Sequence, residues 1–286
     1  MQGATATTLP PDQRRRVVAK DVLLPLALGA LALLFLTPFL LMVVSAFKTQ
    51  AEVLRTPPTI FPVAPTLDGF RTLLHDAPYG QWYRNSMVVA TAVTAAVLLT
   101  SSLAGYVFAK FEFPAKRALF LLVLSTMMIP FPVLLIPTYL IVDKLELLNS
   151  LWALIVPGMV SAFGIFLMRQ FIAGIPNDLI EAARIDGASE WSIYGRIIVP
   201  LVRPALAALG VFSFLASWND YLWPLVAIND LEKSTVPLAL AFFNTAQAQR
   251  YDLIMAAATL AVAPVLVVFL IFQRQIVKAL VLAGMK

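Results

Sequence analysis

Cysteine is absent from this 286-residue chain, and histidine occurs once, at His75. The first absence removes disulfides, thiolate nucleophiles and cysteine-ligated metals, and the second removes any histidine cluster. No lysine follows a glycine, so the Gly-x-x-x-x-Gly-Lys-Ser/Thr loop that cradles nucleotide phosphates is missing as well. The His-Glu-x-x-His and Gly-x-Ser-x-Gly patterns are also missing, which leaves no catalytic constellation and no metal site to assign. Charge is scarce too. Only 13% of residues are Asp, Glu, Lys or Arg, against about 25% in a soluble domain.

What fills the chain is apolar. Hydrophobic residues make up 60% of it, and the mean hydropathy is +0.85. A membrane crossing needs roughly 17–25 mostly apolar residues. Six stretches qualify, at about 22–47, 85–109, 118–142, 151–171, 201–228 and 253–272. The expected fold is therefore all-α, a polytopic membrane protein of six transmembrane helices in a lipid bilayer. Residues 1–21 form a cytoplasmic tail, its first ten expected to be disordered, and 22–286 form the membrane domain. The first stretch is too long, and lacks the small-residue cleavage site, to be a signal peptide. No internal repeat or second soluble domain is visible.

The net charge of +5 is explained by Lys and Arg held on the cytoplasmic side. Arg14, Arg15 and Arg16 precede the first span, and Lys110, Lys116 and Arg117 sit in a short loop. Counting the remaining loops alike places both termini in the cytoplasm. Nucleic acid is not an expected partner. The outer loop 48–84 carries five prolines and suits extended or turn structure with a short helix near 68–74.

Ionisable groups are nearly missing from the centres of the spans, with Asp220 the main exception. Each would cost about 2.5–3.5 kcal/mol to insert and would mark a functional position. Their scarcity argues against an ion-coupled secondary carrier, the alternative class of transporter, and the lack of a catalytic set argues against a membrane enzyme.

The segment 172–200 is polar but is not written as a linker. Pro176, Asn177 and Asp178 supply a helix start, and Asp178 and Glu181 have capping-box spacing. Helix is expected over 179–186, with Gly187 at the left-handed C′ position. Ser189 caps a second helix, with Glu190 in its first turn. Trp191, Tyr194 and Ile198 give that helix an apolar face, and Pro200 and Pro204 mark the return to the membrane. The small residues Ala182 and Ala183 expose backbone for close approach. Two other readings fit the same residues: a helix lying in the lipid headgroups, and a DNA-reading helix–turn–helix. The acidic Asp178, Glu181, Asp186 and Glu190 offset Arg184 and Arg196 and disfavour the latter.

Glu181-Ala-Ala-Arg-Ile-Asp-Gly187, nine residues, then Ile197-Ile-Val-Pro200 closely resembles the EAA motif of ABC importer permeases. Val199 stands where leucine is usual. Nearly the whole chain is similar to maltose-type carbohydrate uptake permeases, through 84–90, 217–225 and 267–280. Those subunits usually end in Lys-Gly, whereas this chain stops at Lys286. The resemblance implies a type I ABC importer permease fold in a bacterial inner membrane, with a cytoplasmic coupling-helix hairpin. The partners it implies are a homologous permease in a heterodimer, two ATPase subunits and an external solute-binding protein. ATP and Mg are then bound by the ATPase subunits, and this chain needs no cofactor. Glu181, Ala182, Ala183, Asp186, Gly187, Trp191, Tyr194 and Pro200 form the implied ATPase-coupling surface. Glu181 would pair with a basic group there, and Trp191 and Tyr194 would pack in or beside the cleft. The implied cargo is a sugar, oligosaccharide, polyol or glycerophosphate compound.

Trp218, Asn219, Asp220, Tyr221 and Trp223 place aromatic and polar groups on adjacent helix faces. They read either as a substrate path or as an interfacial aromatic belt. Thr100, Ser101, Ser102 and Gly105 read as a close-packing stripe. Pro130, Pro132 and Pro137 should break the third span, for a cavity or for packing alike. Asn85 is expected to cap the second span, and Asp143 and Glu146 to be solvated.

Overall fold

A computed structural model describes residues 11–246 and 250–284. Helix α1 runs from Pro11 to Ser45 and continues through Pro25 and Pro38. It begins well before the expected 22, because its early polar residues extend the helix beyond the apolar run. The expected disorder of the first ten residues lies outside the described residues, as does the end at Lys286. The side chains of Leu23, Phe35 and Leu40 are all more than half exposed. A helix that is apolar all round and covered by little of its own chain faces lipid.

Short helices α2 (Gln50–Val53) and α3 (Asp68–Asp76) occupy the outer loop. The loop is braced. The Glu52 carboxylate accepts from Thr59 Oγ1 and Val63 N, each at 2.8 Å, and Lys48 Nζ donates to Thr59 O. The expected helix near 68–74 is α3.

Helix α4 (Tyr79–Lys110) is the centre of the bundle. It starts before Asn85, so Asn85 does not cap it. That side chain is 3% exposed and donates to Glu232 O and Ser234 O at 2.8 and 3.1 Å. It ties α4 to a distant loop instead.

The third to fifth crossings are bent. Helices α5 (Lys116–Thr126) and α6 (Phe131–Lys144) meet at 101° across the Pro130 break, while Pro137 stays inside α6. Helix α7 (Leu151–Ile155) and its 3-10 turn Val156–Gly158 meet α8 (Ala162–Ala173) at 41°. Next come α9 (Asn177–Ile185), α10 (Glu190–Ile193), a π-turn at Tyr194–Ile198 and α11 (Val199–Leu201). Helix α12 (Arg203–Trp218) leaves this stretch at 79°. Its 16 residues span about 24 Å, less than the roughly 30 Å hydrocarbon core. The expected span 201–228 is thus not one helix: it stops at Trp218 and resumes as α13 (Leu222–Ala227).

Helix α14 (Val236–Ala246) lies between the expected spans 201–228 and 253–272. At 11 residues it is too short to span, which is why a length test passes over it. Val236, Leu238 and Ala239 are fully buried. Helix α15 (Tyr251–Gly284) closes the bundle. Among the described residues three single helices are long and apolar enough to cross a membrane, and the number rises to six, as expected, if each of the three bent pairs counts as one crossing.

Candidate functional site: a clamped hairpin and an inner cavity

The hairpin 172–200 folds on backbone chemistry legible in its residues. Helix α9 ends with Gly187 N donating to Arg184 O at 3.0 Å and Ala188 N to Ala183 O at 2.9 Å. These are the two bonds of a Schellman motif, which needs a left-handed C′ residue, and Gly187 has φ +80°. Asp186 is the C-cap of the same helix. Ser189 Oγ accepts from Ser192 N and starts α10 as expected. The expected capping box does not form: α9 starts at Asn177 with Pro176 as its cap residue and no side-chain cap bond. Lys110, at the end of α4, takes over by donating to Ile175 O and to Asn177 Oδ1.

The second half of the hairpin departs from simple α periodicity. Ile193 and Ile198 are both fully buried. Five residues of α-helix would set them about 140° apart. The π-turn between them, with its i→i+5 pairing, returns both to one side. Trp191 falls off that side and is 73% exposed, edge-on to Tyr194 at 6.4 Å. Tyr194 turns inward, where its hydroxyl and Ser102 Oγ share a hydrogen bond of 2.6 Å. Glu181, Ala182 and Asp186 are exposed, Ala183 packs toward the core, and Pro200 is half-buried just before the 79° bend.

A contact missed from sequence joins the hairpin to α4. Glu190 Oε1 accepts from Arg184 Nε and Glu190 Oε2 from Tyr106 Oη, each at 2.7 Å. The Arg184 guanidinium holds the Glu190 carboxyl below the usual carboxylate range, partial burial opposes it, and the Tyr106 hydroxyl adds to the lowering. Arg184 is raised in turn by the same bond. The Tyr106 ring lies 5.3 Å from Phe111 and 5.9 Å from Tyr194. Sequence gives no cue that a tyrosine in an apolar span reaches a loop carboxylate 84 residues away.

Deeper in the bundle lies a cavity of ≈ 330 Å³ lined by Val93, Val97, Phe131, Ser213, Asp220 and Trp223, among others. Asp220 is its one charged lining residue. Trp223 is fixed by Nε1 donating to Ala153 O at 2.9 Å, with Phe131 edge-on at 6.5 Å. Of the five expected path residues, only Asp220 and Trp223 reach this cavity. Trp218 is 2% exposed, stacks on Phe214 and donates to Ala261 O at 3.1 Å, so it is a packing residue. Asn219 bonds back to Leu215 O, and Tyr221 is exposed. The placement of these five residues on adjacent faces of one helix does not hold, because the helix stops at Trp218. Phe131 could have been anticipated from the flanking Pro130 and Pro132.

The close-packing stripe is where it was expected. Gly105 faces Met168, Gly164 faces Ser101, and Thr100 Oγ1 donates to Met159 O at 3.0 Å.

Bent apolar crossings around a largely apolar cavity that holds three serines and one carboxylate, with a hairpin beside them, fit a polytopic transport protein. The family model described as "Binding-protein-dependent transport system inner membrane component" matches residues 101–281, and the chain belongs to that family. It is similar to the arabinooligosaccharides transport system permease protein AraQ of Halalkalibacterium halodurans, 34% identical, covering 92% of this chain and 96% of the relative. It is 35% identical to the sn-glycerol-3-phosphate transport system permease protein UgpE of Pectobacterium atrosepticum, covering 90% and 93%. The fold matches a chain of a bacterial ABC transporter that imports the acidic polysaccharide alginate, with TM-score 0.80 at 23% identity, covering 94% and 99%. The chain is thus a multi-pass inner-membrane permease subunit of an ABC importer and not an enzyme; the ATPase is a separate subunit. This sets aside the ion-coupled carrier.

Proposed function

We propose that this permease passes a carbohydrate or polyol derivative, delivered by an external solute-binding protein, through a path that includes the Asp220 cavity. The named cargoes of its relatives, an arabino-oligosaccharide and a glycerophosphate, support that class. Aromatic rings beside hydroxyl and carboxylate groups suit a polyhydroxylated solute, whose ring faces stack while its hydroxyls hydrogen-bond. In this reading both termini are cytoplasmic, a homologous permease completes the path, and two ATPase subunits bind ATP and Mg. The hairpin docks on one of them. ATP-driven closure then pushes the hairpin and switches the bundle from inward-open to outward-open.

The observation that carries this reading is the hairpin's outer rim. Ile185 and Trp191 are 86% and 73% exposed on a turn rigidly closed at Gly187, beside the exposed carboxylates of Glu181 and Asp186. Apolar side chains held in water on a rigid mount suit a partner's cleft. Glu181→Lys and Gly187→Pro should uncouple ATP hydrolysis from uptake in the reconstituted importer while the subunit still inserts. Normal uptake by both variants refutes the docking role. A cysteine at Ser189 in this cysteine-free chain should resist an impermeant thiol reagent added to intact cells; labelling refutes the cytoplasmic placement.

A further inference from the structure

Tyr106 is a buried tyrosine, 4% exposed, that neither lines the cavity nor lies on the hairpin's rim. Its hydroxyl donates to Glu190 Oε2 at 2.7 Å while Arg184 Nε holds Glu190 Oε1 at 2.7 Å. One carboxylate therefore joins three elements: α4 through Tyr106, α9 through Arg184 and α10 through its own backbone. One turn back on α4, at i−4, Ser102 Oγ bonds the Tyr194 hydroxyl at 2.6 Å. The rings of Tyr106 and Tyr194 lie 5.9 Å apart, closing the space between these two bonds. Lys110 adds the bonds to Ile175 O and Asn177 Oδ1 at the other end of the hairpin.

From these contacts we infer that Tyr106 and Ser102 are positioning residues that clamp the hairpin to α4, so that the two move as one rigid body and α4 carries hairpin displacement to the cavity. Short O–H to carboxylate bonds are among the stronger ones, and partial exclusion of water strengthens them further. Val97, which lines the cavity, lies on α4 nine residues before Tyr106, about 14 Å away and half a turn round the helix. A helix clamped at one end by the hairpin thus presents its opposite flank to the cavity. The hairpin also meets the bundle through the buried side chains of Ile180, Ile193 and Ile198 and through its chain connections, and the return connection bends by 79° into α12. A sharply bent connection transmits a push less directly than a side-chain clamp does.

The inference rests on the reading of the hairpin as the ATP-driven element, and spin labels separate the two without needing the cargo. The full importer carries nitroxides on Gly80→Cys, an open position near the start of α4, and Gly195→Cys, an open and exposed hairpin position away from the docking rim. The expected result is one narrow distance, the same with and without ATP. A second pair, Gly195→Cys with Tyr251→Cys at the start of α15, reports whether the hairpin moves at all. If that second distance ignores ATP, the driven-hairpin reading fails. If it changes and the first distance changes with it, the rigid clamp is overturned. In the Ser102→Ala/Tyr106→Phe variant, which keeps both ring contacts, the first distance should broaden and become ATP-dependent. A first distance that stays as narrow as in the wild type shows that the hydroxyls do not clamp. Glu190→Gln, which keeps an oxygen for Tyr106, should retain the narrow distance better than Glu190→Ala; equal loss in the two overturns the role of the Tyr106 bond.

Discussion

Gly105 of α4 and Met168 of α8 approach so closely that a Cβ on the glycine would stand 2.7 Å from the Met168 Cβ and 2.9 Å from Arg169 N. Backbone lies behind that contact, so nothing can swing aside. Small residues permit such approach between membrane helices, where packing rather than exclusion of water holds the pair together. Gly105→Val should therefore destabilise the subunit by at least the roughly 1–3 kcal/mol of an overpacked core. Gly80→Ala, on the same helix with open space around it, should be neutral. Thermal unfolding of the two variants in detergent checks the contrast.

Ser101 and Ser102 are neighbours with opposite expectations. Ser101 Oγ is buried with no hydrogen-bond partner, whereas Ser102 Oγ bonds Tyr194 Oη. Removing an unpaired buried hydroxyl costs nothing in hydrogen bonding, and removing a paired one leaves its partner unsatisfied. Ser101→Ala should be neutral or stabilising, and Ser102→Ala should cost about 1 kcal/mol. The difference should appear in melting temperature.

At Gly187 the left-handed φ of +80° penalises any side chain. Gly187→Ala should weaken hairpin closure by about 1–2 kcal/mol, and Gly187→Asn by less. Amide hydrogen exchange at Gly187 and Ala188, whose N–H groups make the two closing bonds, measures it. Equal exchange in wild type and Gly187→Ala would contradict the prediction.

The Arg184–Glu190 bond has a pH signature. Arg184 holds the Glu190 carboxyl low in the folded state. A carboxyl whose pKa is lower folded than unfolded adds stability above its unfolded value and loses it as pH falls through the folded value. Hairpin protection should hold steady from neutral pH down to about 5 and fall below the ordinary glutamate range near about 4.3. Hydrogen exchange against pH tests this, and Glu190→Gln should flatten the profile.

Asn85 donates to Glu232 O and Ser234 O, and its neighbour Ser86 accepts from Val236 N at 2.8 Å. Asn85→Leu leaves both carbonyls without that donor, a loss of about 1–3 kcal/mol. The outer segment around Lys233 should then become sensitive to trypsin, while Ser86→Thr, which keeps an acceptor, should protect it better than Ser86→Val.

Crossings and hairpin were legible because they rest on local rules. Long apolar runs have few alternatives, and Gly187 with Ser189 spells out a turn between two helices. The breaks were harder. Within residues 201–228 the stop of α12 at Trp218 is marked only by the polar pair Asn219-Asp220, and the return to apolar Leu222 and Trp223 lets a length test read straight through it. Helix α14 was hidden for the converse reason, being apolar but shorter than a membrane is thick. The cavity lining and the Tyr106–Glu190 bond come from residues far apart in sequence. A tyrosine in an apolar run reads as one more hydrophobe until its hydroxyl is seen to have a destination.

The π-turn at Tyr194–Ile198 makes this stretch sensitive to how many residues it holds as much as to which ones. One residue fewer between Ser189 and Pro200 lets the helix relax to ordinary pitch. Ile193 and whichever residue then occupies the Ile198 place no longer share a side with the same spacing, and Tyr194 swings relative to Ser102. A substitution here alters one side chain, whereas a single-codon deletion rotates everything downstream. In-frame length variation should therefore be tolerated in the outer loop long before it is tolerated in these ten positions.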